Sequence, residues 1–141
     1  MLITEEFGPR VRIAKVFTDL PLETDRPVDL GVQHFCETCE RCAEDCPSGA
    51  MIYGDRTDQP WDESNNVNVL KWPIKAMKCI NWWEKNRNSC ANCIRVCSFN
   101  KPKGMLHDFT RKIIRNTAAF DHFLIWMDKV CGYGKQVLDE G

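Results

Sequence analysis

The stretch "FCETCERCAEDCPSGA" constrains this chain more than any other. It sets Cys36, Cys39, Cys42 and Cys46 at spacings of two, two and three intervening residues, with Pro47 directly behind the last. Three thiolates two residues apart wrap one face of a cubane iron–sulfur cluster. The fourth, only three residues further on, is expected to open a helical segment and point elsewhere. In chains with this C-x2-C-x2-C-x3-C-P run, the fourth cysteine binds the other of two clusters. A second set is therefore required. Cys90, Cys93 and Cys97 repeat the C-x2-C-x3-C end of the run, and Cys79, eleven residues before Cys90, supplies the missing early ligand. The crossed assignment follows. One cluster takes Cys36, Cys39, Cys42 and Cys97, and the other takes Cys79, Cys90, Cys93 and Cys46. Cys131 is left over. Ser98 stands where the second run lacks its proline, which is expected to relax that turn without removing a ligand.

Two other uses of the thiols compete. Nine cysteines in 141 residues also suit a disulfide framework or zinc. Zinc prefers paired C-x2-C knuckles or Cys/His mixtures, and three cysteines at 36, 39 and 42 crowd one tetrahedral ion. "MLITEEFGPR" has neither a basic start nor an apolar stretch of the secretory kind, which weakens the disulfide reading. No twin-arginine pair precedes a hydrophobic stretch, and the longest apolar run, Phe123 to Met127, falls far short of the roughly 20 residues of a membrane span. A net charge of −1 gives a nucleic-acid partner no support.

Around the thiols the chain divides into three. Residues 1–32 hold the β-branched "RVRIAKVFTDLP", which reads as a strand ended by Pro21. Nothing nearby offers that strand a partner, although a lone strand needs a sheet. Residues 33–104 carry both cysteine runs, with the polar "YGDRTDQPWDESNNVN" between them as an exposed loop. Residues 105–141 read as a packing helix and tail. Leu106, Phe109, Ile113, Phe120, Leu124 and Met127 alternate by three and four, Thr117 fills the gap, and "GYGK" is the exit after Gly132. A membrane-surface or partner helix is the rival for this element. The expected fold class is α+β: an N-terminal strand, a two-cluster bacterial ferredoxin-like module and a C-terminal packing helix.

Several other residues carry paired readings. His34, two residues before Cys36, either tunes a cluster or contacts a cofactor, or is an ordinary packed histidine. Trp82 and Trp83, between Cys79 and Cys90, either shield a cluster from water or fill a core. Arg10 and Arg12 either meet cofactor amides or phosphate, or form a strand-edge salt bridge. Glu37, Glu40, Glu44 and Asp45 either push a cluster potential down or form a solvated face. His107 and His122, fifteen residues apart on one helix, cannot share a metal. Tyr53 and Tyr133 sit in no recognisable acid/base setting and are assigned no catalysis.

The stretches "LITEEFGPRVRIAKVFTDLPLETDRPVD", "FCETCERCAEDCPSGA" and "CANCIRVCSFNKP" resemble the C-terminal part of corrinoid-dependent reductive dehalogenases. Epoxyqueuosine reductases share the "GPRVR" region. The stretched "CINWWEKNRNSCANC", the "FNKP" after the last ligand and the closing "MDKVCGYGK" tilt toward the dehalogenases. The resemblance implies an electron-relay segment that passes electrons through two [4Fe–4S] clusters to a cobamide, which removes halide from an organohalide. It implies that the cluster of Cys79, Cys90, Cys93 and Cys46 lies against the corrinoid, and that residues 1–32 end a corrinoid-binding core. It also implies a membrane-anchor partner protein and a place at the outer face of the cytoplasmic membrane after twin-arginine export. The family's tyrosine proton donor has no counterpart here, so the chain reads as a fragment inactive alone. A stand-alone two-cluster electron carrier and a fragment of an epoxyqueuosine reductase are the alternatives.

Overall fold

The computed structural model describes residues 2–26, 28–87 and 89–134. Among them run six helices: α1 (Val32–Cys39), α2 (Arg41–Glu44), α3 (Ala76–Asn86), α4 (Asn92–Arg95), α5 (Met105–Asn116) and α6 (Asp121–Val130). The expected tail beyond 134 lies outside the described residues.

Local sequence explains the sharp turns around the first thiols. Gly31 precedes α1 at φ 70°, and a Cβ there would come within 2.6 Å of the Ile114 carbonyl. Only glycine lets α1 and α5 approach this closely. Glu40 alone separates α1 from α2 and adopts φ 44°. This left-handed conformation costs a non-glycine residue about 1–2 kcal/mol. The reversal folds the C-x2-C-x2-C run back on itself. Each cysteine run then ends alike, with a one-turn helix followed by a tight turn. The Gly49 N–H donates to the Cys46 carbonyl at 3.1 Å, and the Asn100 N–H donates to the Cys97 carbonyl at 2.8 Å. The two short helices, α2 and α4, pack against each other.

The structure corrects two expectations here. Cys46 opens a turn and not a helical segment. The proline-free turn at Ser98 is as tightly closed as its Pro47 counterpart. The long spacing from Cys79 to Cys90 is filled by a helix, α3, with Cys79 near its start.

Two larger elements also differ from expectation. "RVRIAKVFTDLP" forms no strand. Ile13 is 74% exposed, Val16 84% and Phe17 97%. The β-branched pattern was real, but a strand exists only when paired. Among the described residues the β pairing amounts to isolated bridges, Thr4 with Gly8, Met51 with Ile74 and Thr57 with Lys71. The described residues are therefore mostly helical with few strand pairings, a smaller β part than the α+β expectation gave them. The single terminal helix is two. Thr117 turns extended (φ −159°, ψ 141°), its hydroxyl accepts the Ala119 N–H at 3.2 Å, and α6 restarts at Asp121. The polar residue in the apolar stripe marks this break. It lets both halves pack on α1, and it places His107 and His122 on different helices.

The core lies under the first cysteine run. Phe35, Phe99, Ile114 and Ile125 are buried together, with Ile3, Val32, Leu124, Cys39 and Cys97 packed against them. Phe35 meets Phe99 edge to face, centroids 5.4 Å apart at 82°, a geometry worth about 0.5–1.5 kcal/mol beyond its buried area. The "FGPR" turn closes over this core. A side chain at Gly8 (φ 58°) would collide with the Phe99 carbonyl, which ties this turn to the segment just after Cys97.

Candidate metal centres

All nine cysteines are free thiols, and eight of them gather in two groups. In the first, burial pushes the Cys36 thiol up to about 12, and the neighbouring charges of Cys39, Cys97 and Cys42 add to the rise. Cys97 is pushed up to about 11, first by burial, then by Cys39 and Cys42, while the N–H groups of Phe99 and Asn100 pull it back. In the second group, burial raises Cys79, followed by Cys93, Cys46 and Cys90. Burial also raises Cys93, with Cys90 and Cys46 adding to it. Thus Cys97 sits with the cysteines of the first run, and Cys46 sits with those of the second.

The groups approach each other where α2 meets α4. There the charge of Cys93 contributes to the rise of Cys42, behind burial and Cys39. Cys46 is the exception in direction. Burial raises it, but the Ser48 hydroxyl, 3.4 Å away, and the N–H groups of Met51, Ala50 and Ser48 outweigh burial and lower its pKa. Among the described residues, no three His, Cys, Asp or Glu side chains converge closely enough to hold one metal ion.

Burial and the neighbouring thiols make Cys36, Cys39, Cys42, Cys79, Cys93 and Cys97 hold their protons until a cation displaces them. Backbone N–H groups aimed at ligand sulfurs stabilise negative charge there and tune a cluster. Soft thiol donors with N–H groups from the following turns are the donor chemistry that suits iron–sulfur clusters.

A buried charge network borders the first group. Asp128 on α6 accepts from Arg41 Nη1, from Lys101 Nζ and from Ser98 Oγ, the last at 2.8 Å. Ser98 Oγ also lies 3.8 Å from Cys39 Sγ. Arg41 Nη2 donates to the Tyr133 carbonyl at 2.6 Å, and Lys101 Nζ stands 3.6 Å over the Tyr133 ring. Burial pulls the Lys101 pKa down, while the Asp128 carboxylate pulls it back up. Sequence reasoning passed over Arg41, Lys101 and Asp128, and weighed Tyr133 for catalysis alone. The only signal was an arginine inside the cysteine run and two glycines flanking Tyr133, Gly132 at φ 70° and Gly134 at φ 78°.

The other sequence candidates lie further out. His34 packs at the helix junction, with Nδ1 3.0 Å from Asp121 Oδ2 and Nε2 2.9 Å from the Ile114 carbonyl. Arg10 and Arg12 are exposed, and Arg10 Nε donates to the Phe7 carbonyl at 3.4 Å. Trp82 is half-buried on α3 and Trp83 is 40% exposed. Glu37 pairs with Arg56 at 3.0 Å and Glu44 with Lys129 at 2.7 Å, both on the surface. Cys131 is exposed at the end of α6.

No family model matches the chain. A tetrachloroethene reductive dehalogenase of Sulfurospirillum multivorans is 42% identical over 94% of this chain and 26% of the relative. An epoxyqueuosine reductase of Bacillus anthracis is 35% identical over 71% of this chain and 25% of the relative. A solved catabolic reductive dehalogenase superposes with TM-score 0.73 at 26% identity, over 83% of this chain and 16% of that chain. One solved neighbour is a reductive dehalogenase whose structure suggests a mechanism for B12-dependent dehalogenation. The chain spans about a quarter of the length of the curated relatives it matches.

Proposed function

This chain belongs to the reductive dehalogenases, and from that premise we propose that it is the electron-relay segment of a corrinoid-dependent enzyme of that family. One observation carries the reading: Cys39, Cys97 and Cys42 are the thiols that act on Cys36, and Cys93, Cys46 and Cys90 those that act on Cys79, with Cys42 and Cys93 meeting between the two sets. Each set would ligate one [4Fe–4S] cluster, as the interlocked spacing requires. When bound, the clusters supply one-electron steps and a cobamide supplies cleavage of the carbon–halogen bond of an organohalide.

The chain's own residues bind and insulate. Phe35, Val96 and Phe99 keep water from the first set, while the turn after Cys46 aims N–H groups at a sulfur of the second. The contact of α2 with α4 brings the two sets together for electron hopping. The second set is flanked by exposed apolar residues of α3, Met77, Ile80 and Trp83. Such a face suits contact with a cofactor-bearing region, so we assign the cluster nearer the cobamide to Cys46, Cys79, Cys90 and Cys93, with Trp82 and Trp83 as its shield. Arg10 and Arg12, on the exposed segment, would face the same region, and residues 1–32 would complete a corrinoid-binding core. A membrane-anchor partner and the outer face of the cytoplasmic membrane complete the proposal. Among the described residues, no helix is long and apolar enough to cross a membrane.

Epoxyqueuosine reductase is the second reading, on a shorter and weaker match. The relay is tested by reducing the anaerobically reconstituted chain, removing the reductant and adding aquocobalamin. The expected result is cobalt reduction by two electron equivalents per chain, absent from a cluster-free control. Full reduction of both clusters with no electron reaching cobalt would overturn the relay.

A further inference from the structure

We infer that the buried Arg41–Asp128–Lys101 network, acting through Ser98, sets the reduction potential of the cluster held by Cys36, Cys39, Cys42 and Cys97, and sets it upward. The inference rests on the proposed ligand set. It concerns a question the acidic residues of the first run left open. Glu37 and Glu44 are on the surface, paired with Arg56 and Lys129, and solvent screens such pairs.

Among the described residues, four charged side chains are buried. Asp121, 2% exposed, faces His34 Nδ1 at 3.0 Å, while Arg41, Lys101 and Asp128, 4%, 8% and 9% exposed, form the network at Ser98, so that network sets two buried cations against one anion. Tyr133 fixes both cations, one by its carbonyl and one by its ring. A buried net positive charge favours the more negative, reduced cluster, with little screening.

Ser98 connects the network to sulfur. Its single hydroxyl proton has two acceptors in reach, Asp128 Oδ2 at 2.8 Å and Cys39 Sγ at 3.8 Å. Arg41 and Lys101 already satisfy the carboxylate. The hydroxyl can therefore turn to the sulfur as electron density builds there on reduction. A proline at this position has no such proton.

The test is an EPR-monitored redox titration of the reconstituted chain and its variants. Lys101→Gln removes a cation and lowers one of the two midpoints, while Asp128→Asn removes the anion and raises the same midpoint. Each shift is expected to reach a tenfold change in the one-electron equilibrium, about 59 mV. Ser98→Ala lowers that midpoint by less, and Ser98→Thr restores it. The other midpoint stays in place throughout. Opposite shifts distinguish charge from simple loosening of the fold. Midpoints that do not move, or that move the same way in both charge variants, overturn the inference. Should Asp128→Asn fail to load, Ser98→Ala against Ser98→Thr decides, and equal midpoints overturn it. A chain that loads no iron and sulfide overturns the ligand reading as well; a loaded chain with unmoved midpoints overturns this inference alone.

Discussion

The two thiol groups share a motif and differ in their surroundings. The first is sunk against Phe35, Phe99, Ile114 and Ile125, with a buried ion network on one side. The second lies beside α3, whose Met77, Ile80 and Trp83 are open to solvent. The thiols register the difference. Burial drives Cys36 to about 12 and Cys97 to about 11, whereas Cys46 is lowered by the hydroxyl and N–H groups around it. The first group is enclosed by this chain's own core, and the second presents an apolar face. In the proposed relay, that open face would meet the next acceptor.

The comparison breaks most readily at the ligands. Cys46→Ala is expected to empty the second site and spare the first, although Cys46 belongs to the first run. Cys97→Ala should do the reverse. In each variant, iron and labile sulfide should fall from about eight to about four per chain, as two cubanes require. Loss following the linear runs instead would undo the crossing. Next in size is packing. Phe35→Ala should cost about 3–5 kcal/mol, whereas Ile80→Ala on the open side should stay within about 0.5 kcal/mol. Equal losses in chemical denaturation would mean that the two regions are equally closed.

A smaller effect concerns pH. Ligation needs thiolates, and a raised pKa means that the folded thiol holds its proton more tightly. Iron must therefore displace protons from Cys36 and Cys97. Loading of the first site at fixed iron and sulfide should rise with pH above neutrality, toward the range 9 to about 12. The second site sets a lowered Cys46 beside raised Cys79 and Cys93, so it should fill at lower pH than the first, where every shifted thiol is raised. Loading followed by EPR at about pH 7 and 9 checks this, and reversed order would contradict it. The smallest expected effect is at the rim. Glu44→Gln removes an exposed pair with Lys129, worth about 0–1 kcal/mol, and should leave both midpoints unmoved.

The cysteine runs were legible because their spacing is short-range geometry. Two, two and three intervening residues limit which sulfurs can face one space, and the thiol neighbours of Cys79 and Cys97 are those the proposed crossing would need. The "RVRIAKVF" strand was not legible as an unpaired segment, because pairing is a property of a neighbour and not of the strand. The terminal helix was read through Thr117 because periodicity survives a one-residue break, while the Thr117 hydroxyl bond to the Ala119 N–H that makes the break is a local competitor of the helix. The Arg41–Asp128–Lys101 network joins residues up to 87 positions apart, and no spacing rule connects them. Ser98 looked like a missing proline; its hydroxyl, held to Asp128, was the informative part.

The most direct test is the content of iron, acid-labile sulfide and zinc per chain after anaerobic reconstitution, with an EPR spectrum of the dithionite-reduced protein. Two cubanes predict about eight iron and eight sulfide, with signals from two magnetically coupled reduced clusters. One or two zinc ions without labile sulfide would contradict the account and leave a structural metal domain in place of a relay.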